Sequence, residues 1–430
     1  MNIIPERFFG FLQAHVPAIA RKLGDVFHIN HGDCIRQSMR NIQDPFKEQG
    51  LDILECFAIK TNPRQAIGEI TLSEGGGFDC GSSDELKFAR ELKTPPDHII
   101  LTSINTPPEL YVEAVAHGGC ILNLDDESFV NKVPDPFPKR IFFRLNPGDR
   151  KTGDEVNSII GEPRRAKFGV PIENIERASQ AAIDRGAESI GLHLMVCSND
   201  RNYLHVVNTI KLGLEKISDI EAYTGVPVHG LDFGGGMGIP YRPGDERFDF
   251  QALAKEVRPL MSEFLRLHGY FPKLYMESGR YVTGPNGVLI NRVINVFTKY
   301  RKYVGVRCAI TGVPRYAQYK AYHHHMVLRP DGSIKGGPTE IVSICGPTCE
   351  NNDYTAVDIE LPVVEEGDFI VTFCGGGHCA ASAGRYGWQA VPPELLVQDG
   401  VVRVINRAPT YADNTALQRG LEGSKYILKL

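Results

Sequence analysis

Between residues 55 and 279 the chain carries eight short apolar runs: ECFAIK (55–60), GGFDC (76–80), HIILT (98–102), GCILNL (119–124), RIFFRLN (140–146), GLHLMV (191–196), HGLDFGG (229–235) and KLYMESG (273–279). Their near-continuous apolar character suits parallel strands covered on both faces, rather than strands with one wet face. Between them, SDELKFARELK (83–93), PPELYVEAVAHG (107–118), IENIERASQAAIDRG (172–186) and FDFQALAKEVRPLMSEFLRLHG (248–269) space apolar residues as helices do. Eight strands alternating with helices over ~230 residues predict a (β/α)8 TIM barrel across 35–285. Chemistry is then expected where the strands end, at the C-terminal face of the barrel.

After residue 285 the rhythm changes to strand and turn. GVLINRVINVFTKY, RCAITGV, TEIVSIC, GDFIVTFC and GVVRVINRA read as strands, with helical spacing only near 411–421. Residues 286–430 are therefore expected to form a C-terminal β-sandwich or barrel-like domain. DVFHIN (25–30) also has strand character, so 1–34 is assigned partly to that domain. No repeat or low-complexity linker separates the two.

The charge balance narrows the partners. With 47 Lys and Arg against 52 Asp and Glu, the net charge is −5 and evenly spread, so no nucleic acid partner is expected. No run of ~18 apolar residues is present, and Glu6, His15, Arg21 and Lys22 interrupt the apolar N-terminus. Neither a membrane span nor a secretory signal is predicted, and a cytoplasmic protein is the expectation. The ten cysteines lack C-x-x-C pairing and several sit in apolar runs, as reduced buried thiols do; Cys345 and Cys349, spaced C-x3-C, stand apart.

Three features fall at strand ends. Lys60 closes FAIKTN; a lysine desolvated at a barrel mouth has a lowered pKa and can form a Schiff base, although a lone lysine there can equally snorkel to water. Gly234, Gly235 and Gly236 follow the strand LDF and offer unencumbered backbone N–H groups, suited to a phosphate and also to a plain turn. Glu277 closes MESGRY, ahead of Gly279 and Arg280, and could pair with a ring nitrogen or with a structural cation. An amine, a phosphate cradle and a carboxylate together describe a site for pyridoxal 5′-phosphate.

At this point the chain resembles the fold type III, or alanine-racemase-fold, amino-acid decarboxylases, and among them diaminopimelate decarboxylase. FAIKTN is similar to the family's Y-A-x-K-A-N, and GGFDCGSSDEL to its G-x-D-x-x-S-x-x-E-L segment, which implies a cofactor role for Asp79. RLNP (144–147), KFG (167–169), the glycine run and ESGR match further motifs in order. The resemblance implies cofactor contacts from Lys60, Asp79, His193, Ser198, Gly234, Gly235, Gly236, Glu277, Gly279 and Arg280. CGPTCENND (345–353) resembles G-P-x-C-[ED], whose cysteine in the family enters the neighbouring subunit's site and returns a proton to the substrate carbon. Cys349 is the counterpart here, and a homodimer with shared sites follows.

The same resemblance bears on the substrate. Arg280, Arg315 and Tyr319 stand where the family holds a distal carboxylate, and Glu350 where it holds the distal ammonium. Bidentate guanidinium donors suit a carboxylate. Three departures accompany these matches. Met195-Val196-Cys197-Ser198 replaces H-I-G-S, so a polarisable thioether stands where the family stacks a histidine on the cofactor ring, with His193 as a compensating group. Gly377-His378-Cys379 replaces G-A-Y, putting His378 at the phosphate-contacting position, and Arg315–Tyr319 reads RYAQY instead of R-P-x-L-Y. His323, His324 and His325 are not assigned to a metal, because consecutive strand residues face opposite ways.

The expected activity is thus decarboxylation of an amino acid, foremost meso-2,6-diaminopimelate to L-lysine. Two alternatives are kept. One is a related decarboxylase acting on a carboxylated polyamine, a D- or basic amino acid or a carrier-bound amino acid; the other is a non-catalytic homologue that binds a partner, which the retention of Lys60, Glu277 and Cys349 opposes.

Overall fold

The computed structural model describes residues 3–150, 162–389 and 391–419. The strands in chain order are β1 (Val26–His31), β2 (Ile53–Ala58), β3 (Gly77–Cys80), β4 (Ile99–Thr102), β5 (Ile121–Leu124), β6 (Arg140–Asn146), β7 (Val170–Pro171), β8 (Ser189–His193), β9 (Val228–Asp232) and β10 (Lys273–Met276). Beyond them lie β11 (Gly287–Thr298), β12 (Lys302–Val306), β13 (His325–Leu328), β14 (Thr339–Cys345), β15 (Tyr354–Pro362), β16 (Phe369–Thr372), β17 (Glu394–Gln398) and β18 (Val401–Asn406).

All eight apolar runs are strands, and they close in the order β2-β3-β4-β5-β6-β8-β9-β10, with β10 pairing back to β2, every pair parallel. This is the TIM barrel. Alternate residues point inward, where Leu54, Cys56, Ile100, Ile121, Phe142 and Tyr275 form a small core of their own. Phe142 fits only because its neighbours on β8 and β9 have no side chains. A Cβ on Gly191 would come within 2.1 Å of the ring, and one on Gly230 within 2.3 Å. The opposite strand faces join the surrounding helices, including Gly32–Glu48, Tyr203–Thr224 and Phe250–His268, in the largest apolar cluster.

Helix Phe250–His268 illustrates the local logic. Asp249 caps it by accepting from the Ala252 N–H at 2.9 Å, Phe250, Leu253, Ala254, Val257, Met261 and Phe264 are buried, and Gly269 ends it in the left-handed conformation at φ +80°.

The second sheet contains β1 and β11–β18 and is mixed. β1 pairs antiparallel with β11 and parallel with β17, so the segment before the barrel is built into the β domain. The sequence reading of RCAITGV as a strand is corrected: the strand is β12, ending at Val306, and 307–313 turns away, with the Ile310 N–H donating to Asp353 Oδ1 at 2.9 Å and Cys308 Sγ 3.3 Å from Thr311 Oγ1. Helix near 411–421 is confined to Tyr411–Thr415; residues from 420 onward lie outside the described residues. Among the described residues no helix is long and apolar enough to cross a membrane.

The two sheets meet at the barrel's C-terminal face. Asn62 donates to the Gly376 carbonyl at 3.0 Å, the His378 N–H donates to the Thr61 carbonyl at 3.0 Å, and Arg64 pairs with buried Glu394 at 2.6 Å. A loop of the β domain thereby reaches the turn that carries Lys60.

Candidate active site

Strand ends deliver the polar groups. Lys60 lies just past β2, Asp79 in β3, Asn123 in β5, His193 and Asp232 at the last positions of β8 and β9, and Glu277 directly after β10. The parallel register sets His193 beside Asp232 and beside Arg144. Asp79, Asn123, His193, Asp232 and Glu277 are all buried.

Lys60 Nζ is hydrogen-bonded to Asp79 Oδ2. Crowding works to lower the pKa of this ammonium, but the charges of Asp79 and Glu277 outweigh it, so Lys60 holds its proton more tightly than an ordinary lysine. This corrects the expectation of a lowered pKa. The side chain is still 57% accessible, so the lysine stands in the open mouth and not in a dry slot. Asp79 is itself pushed up to about 6 by burial and by Glu277, against the pull of Lys60.

His193 Nε2 lies 3.3 Å from Glu277 Oε2, and its Nδ1 is 2.8 Å from the Asn123 amide. Burial alone would raise the Glu277 pKa, but His193, Lys60 and Arg144 bring it down to about 2. Asp232 moves the other way: burial and the Glu277 charge push it well above the carboxylate range. Two neighbouring carboxyls are thus held apart, one ionised and one protonated. Glu277 Oε1 accepts from no N–H among the described residues, and the protonated Asp232 shares a hydrogen bond with Glu277.

The glycine run packs between two loops. Gly234 and Gly236 have φ of +69° and +94°, and a Cβ on Gly235 would stand 2.2 Å from the Glu277 carbonyl oxygen. The Gly234 N–H donates to Asp232 Oδ1 at 2.8 Å and the Gly235 N–H to Met195 Sδ at 3.2 Å. Two of the three amides are therefore engaged within the protein, and the Gly236 N–H has no partner among the described residues. Met195 sits on the loop after β8, with half-buried Ser198 three residues on. Gly279 is required by close approach: a Cβ there would meet Thr61 Oγ1 at 1.9 Å.

At the other side of the mouth, two arginines share one phenol. Arg280 Nη1 donates to the Tyr241 hydroxyl at 2.6 Å and Arg315 Nη1 at 2.7 Å. Both guanidiniums belong to buried residues, and neither has an ion-pair partner among the described residues. His378, at φ +56°, is pushed down to about 3 by burial and by Arg280, Arg315 and Lys60, which makes it a neutral imidazole.

Cys349, Glu350 and Tyr319 do not join this cluster within one chain. Cys349 is exposed, 3.5 Å from the Tyr386 hydroxyl, with Glu350 exposed beside it. Tyr319 ends the helix Arg315–Tyr319 and is 62% exposed. Cys345 and Cys349 are both free thiols. Of the three histidines, only His325 lies in β13; His323 donates from Nδ1 to the Phe373 carbonyl at 2.7 Å.

Sequence reasoning did not single out Asn123, Asp232 or Tyr241. Asp232 carried a signal, as the last strand residue before the glycine run. Arg144, from RLNP, lies over the Phe168 ring of KFG at 4.5 Å, and Asp125 accepts from the Gly169 N–H at 3.0 Å, so these two motifs meet in space.

Residues 33–284 match the model of the family described as pyridoxal-dependent decarboxylase, pyridoxal binding domain. The chain belongs to the pyridoxal-dependent decarboxylases. It is 34% identical over 390 residues to Protein TabA of Pseudomonas amygdali pv. tabaci, covering 90% of each chain. It is 29% identical to a diaminopimelate decarboxylase of Methanothermobacter thermautotrophicus, covering 92% of this chain and 91% of that one. The structure of diaminopimelate decarboxylase from M. jannaschii in complex with L-lysine superposes with a TM-score of 0.85 at 22% identity, covering 95% of both chains.

The protein is accordingly a carboxy-lyase that uses pyridoxal phosphate. The site suits that cofactor on its own geometry. A buried ionised carboxylate with an oxygen that accepts from no N–H among the described residues matches a protonated ring nitrogen, an amine stands at the mouth, and two guanidiniums without an ion-pair partner among the described residues suit an anion.

Proposed function

We propose that this enzyme decarboxylates meso-2,6-diaminopimelate to L-lysine, releasing CO2, in lysine biosynthesis. The observation that carries the reading is the pair of buried guanidiniums, Arg280 and Arg315, with no carboxylate of the described residues paired to either. A buried cation left unpaired is unfavourable, so two of them side by side favour an anionic group brought by a ligand. A substrate with a second carboxylate supplies one.

The bound cofactor supplies an electron sink for the pair left behind when CO2 departs. Lys60 is the amine that holds it, with Asp79 beside the nitrogen. Glu277 keeps a proton at the ring nitrogen, and His193, with Met195 on the neighbouring loop, orients that end. Gly234, Gly235, Gly236, Ser198, Gly279, Arg280 and His378 line the phosphate end, where the Gly236 N–H, without a partner among the described residues, is a donor for it. Arg280, Arg315 and Tyr319 bind the distal carboxylate, and Glu350 the distal ammonium.

Cys349 returns the proton to the substrate carbon. It is exposed in one chain, so in this reading it acts in the site of a partner protomer, as does Glu350, and the working unit is a cytoplasmic homodimer. The barrel over 35–285 and the β domain over 286–430, with part of 1–34, are its two domains.

The test is CO2 release from a panel of meso-diaminopimelate, lysine, ornithine, arginine and glutamate. Turnover of diaminopimelate with a kcat/KM at least tenfold above the others is expected, and none at all would sink the assignment. A second reading, a related decarboxylase with another amino-acid substrate, is favoured by Met195 and His378, which replace the family's ring-stacking histidine and phosphate-contacting tyrosine. It predicts turnover elsewhere in the same panel.

A further inference from the structure

We propose that Tyr241 is the spacer and the third donor of the anion site: its oxygen holds Arg280 and Arg315 in place, and its O–H is delivered to the anion they bind. The proposal rests on the reading that Arg280 and Arg315 receive a ligand anion, and it assigns a role to a residue outside every motif considered above.

A phenol oxygen accepts about two hydrogen bonds and donates one. The Tyr241 oxygen accepts from Nη1 of Arg280 at 2.6 Å and from Nη1 of Arg315 at 2.7 Å, which fills its acceptor sides. Its own proton then has no acceptor among the described residues. The proton stays on the oxygen, because burial raises the phenol's pKa more than the two arginines lower it. Two guanidinium groups and one O–H therefore converge with no carboxylate of the described residues paired to them.

The arginines are held from behind as well. His323 donates from Nδ1 to the Phe373 carbonyl at 2.7 Å, so its Nε2 is a bare lone pair, and that atom is 3.1 Å from Arg315 Nη1. Burial and Arg315 push His323 down to about 3, which keeps it neutral and able to accept. The His323 ring also meets the Tyr241 ring edge-on, with centroids 5.4 Å apart. Like charges would otherwise separate; a neutral acceptor behind Arg315 and a phenol shared by both arginines hold them together.

The anion is the substrate's distal carboxylate or the phosphate of the cofactor, and one variant distinguishes them. Tyr241→Phe removes the hydroxyl and keeps the ring; a fall in the thermal melting temperature from the two lost acceptor contacts is measured separately, and the ligand constants are taken at a temperature where the variant is folded. Two quantities are measured: KM and kcat for meso-diaminopimelate, and the dissociation constant of pyridoxal phosphate from titration of the apoenzyme by absorbance. A rise in KM of roughly tenfold, the size expected of one charge-assisted hydrogen bond, with kcat within about threefold, identifies the carboxylate. A comparable rise in the cofactor's dissociation constant identifies the phosphate. In an Arg315→Gln background the Tyr241→Phe change should add little, since the two act as one unit. If both quantities stay within about twofold of wild type, or if kcat alone falls, the proposal is overturned. Should the wild type not turn over diaminopimelate, the substrate reading fails by itself; the Tyr241 assignment is then decided by the cofactor titration and by KM for the amino acid that is turned over.

Discussion

His193 Nε2 stands 3.3 Å from Glu277 Oε2 at the buried end of the barrel mouth, and the contact helps keep the carboxylate ionised, with a pKa near 2, where burial alone would neutralise it. The sign for stability follows. A carboxylate depressed from 4.5 to about 2 contributes fully above pH 4.5, and that contribution is lost as pH falls toward 2.

For activity, Glu277→Gln should lower kcat by roughly 10²–10³, the size expected when a preorganised charge at a reacting centre is removed. Cofactor attachment should survive, read as retained visible absorbance. Since Glu277 stays ionised throughout the assay range, the pH profile of kcat from about pH 5 to 9 should show no limb that the Gln variant removes. A loss smaller than tenfold would contradict the role assigned to this carboxylate.

Asp79→Asn addresses the lysine. Asp79 and Glu277 together make Lys60 a poor nucleophile at neutral pH by keeping it protonated. Removing the Asp79 charge should therefore shift cofactor attachment to the apoenzyme toward lower pH by about one unit or more, measured as visible absorbance against pH. An unchanged midpoint would mean that the ion pair does not govern attachment.

The chemistry-bearing residues that were legible in the sequence are those that end a barrel strand. Lys60 and Glu277 each stand at the end of an apolar run, and the (β/α)8 rule turns those positions into one site, whereas Asp79 and His193 came from the motifs of the resemblance. Tyr241 was not legible because its meaning lies in contacts with Arg280 and Arg315, 39 and 74 residues away, from a loop with no periodicity. The β domain was read less well than the barrel for a related reason. Its strands meet across long separations, as β1 does with β17, and short runs such as Glu394–Gln398 resemble loop until their partner is known. RCAITGV has strand composition, but the Asp353 carboxylate takes the Ile310 N–H that a ladder would have used.

Acid should destabilise this fold in a way that buried histidines set. His323 and His325 are 1% and 5% exposed and both are pushed down to about 3, chiefly by burial. Between that value and 6.5 the unfolded chain binds the protons and the folded chain does not, so stability falls as pH drops below 6.5 and the loss levels off near 3. The pair should contribute a slope of roughly 2–3 kcal/mol per pH unit around pH 5. His325→Leu should remove about half of it, read from denaturant unfolding at a series of pH values. Equal slopes in both proteins would show that His325 takes up its proton without unfolding.

The exposed thiol gives the test of subunit sharing. Cys349 is exposed, whereas Cys56, Cys80 and Cys308 are buried with pKa values raised by desolvation. A monomer should therefore be alkylated first at Cys349, and assembly should slow that reaction if the thiol enters a partner's site. Complementation then separates a shared site from a self-contained one. Lys60→Ala and Cys349→Ala should each abolish most turnover. Mixed after dissociation and reassembled, the two variants should recover about a quarter of wild-type activity, because half of the dimers are mixed and each of those has one intact site. No recovery, with mixed dimers demonstrated by mass, would mean that Lys60 and Cys349 serve the same chain or that Cys349 is not the proton donor.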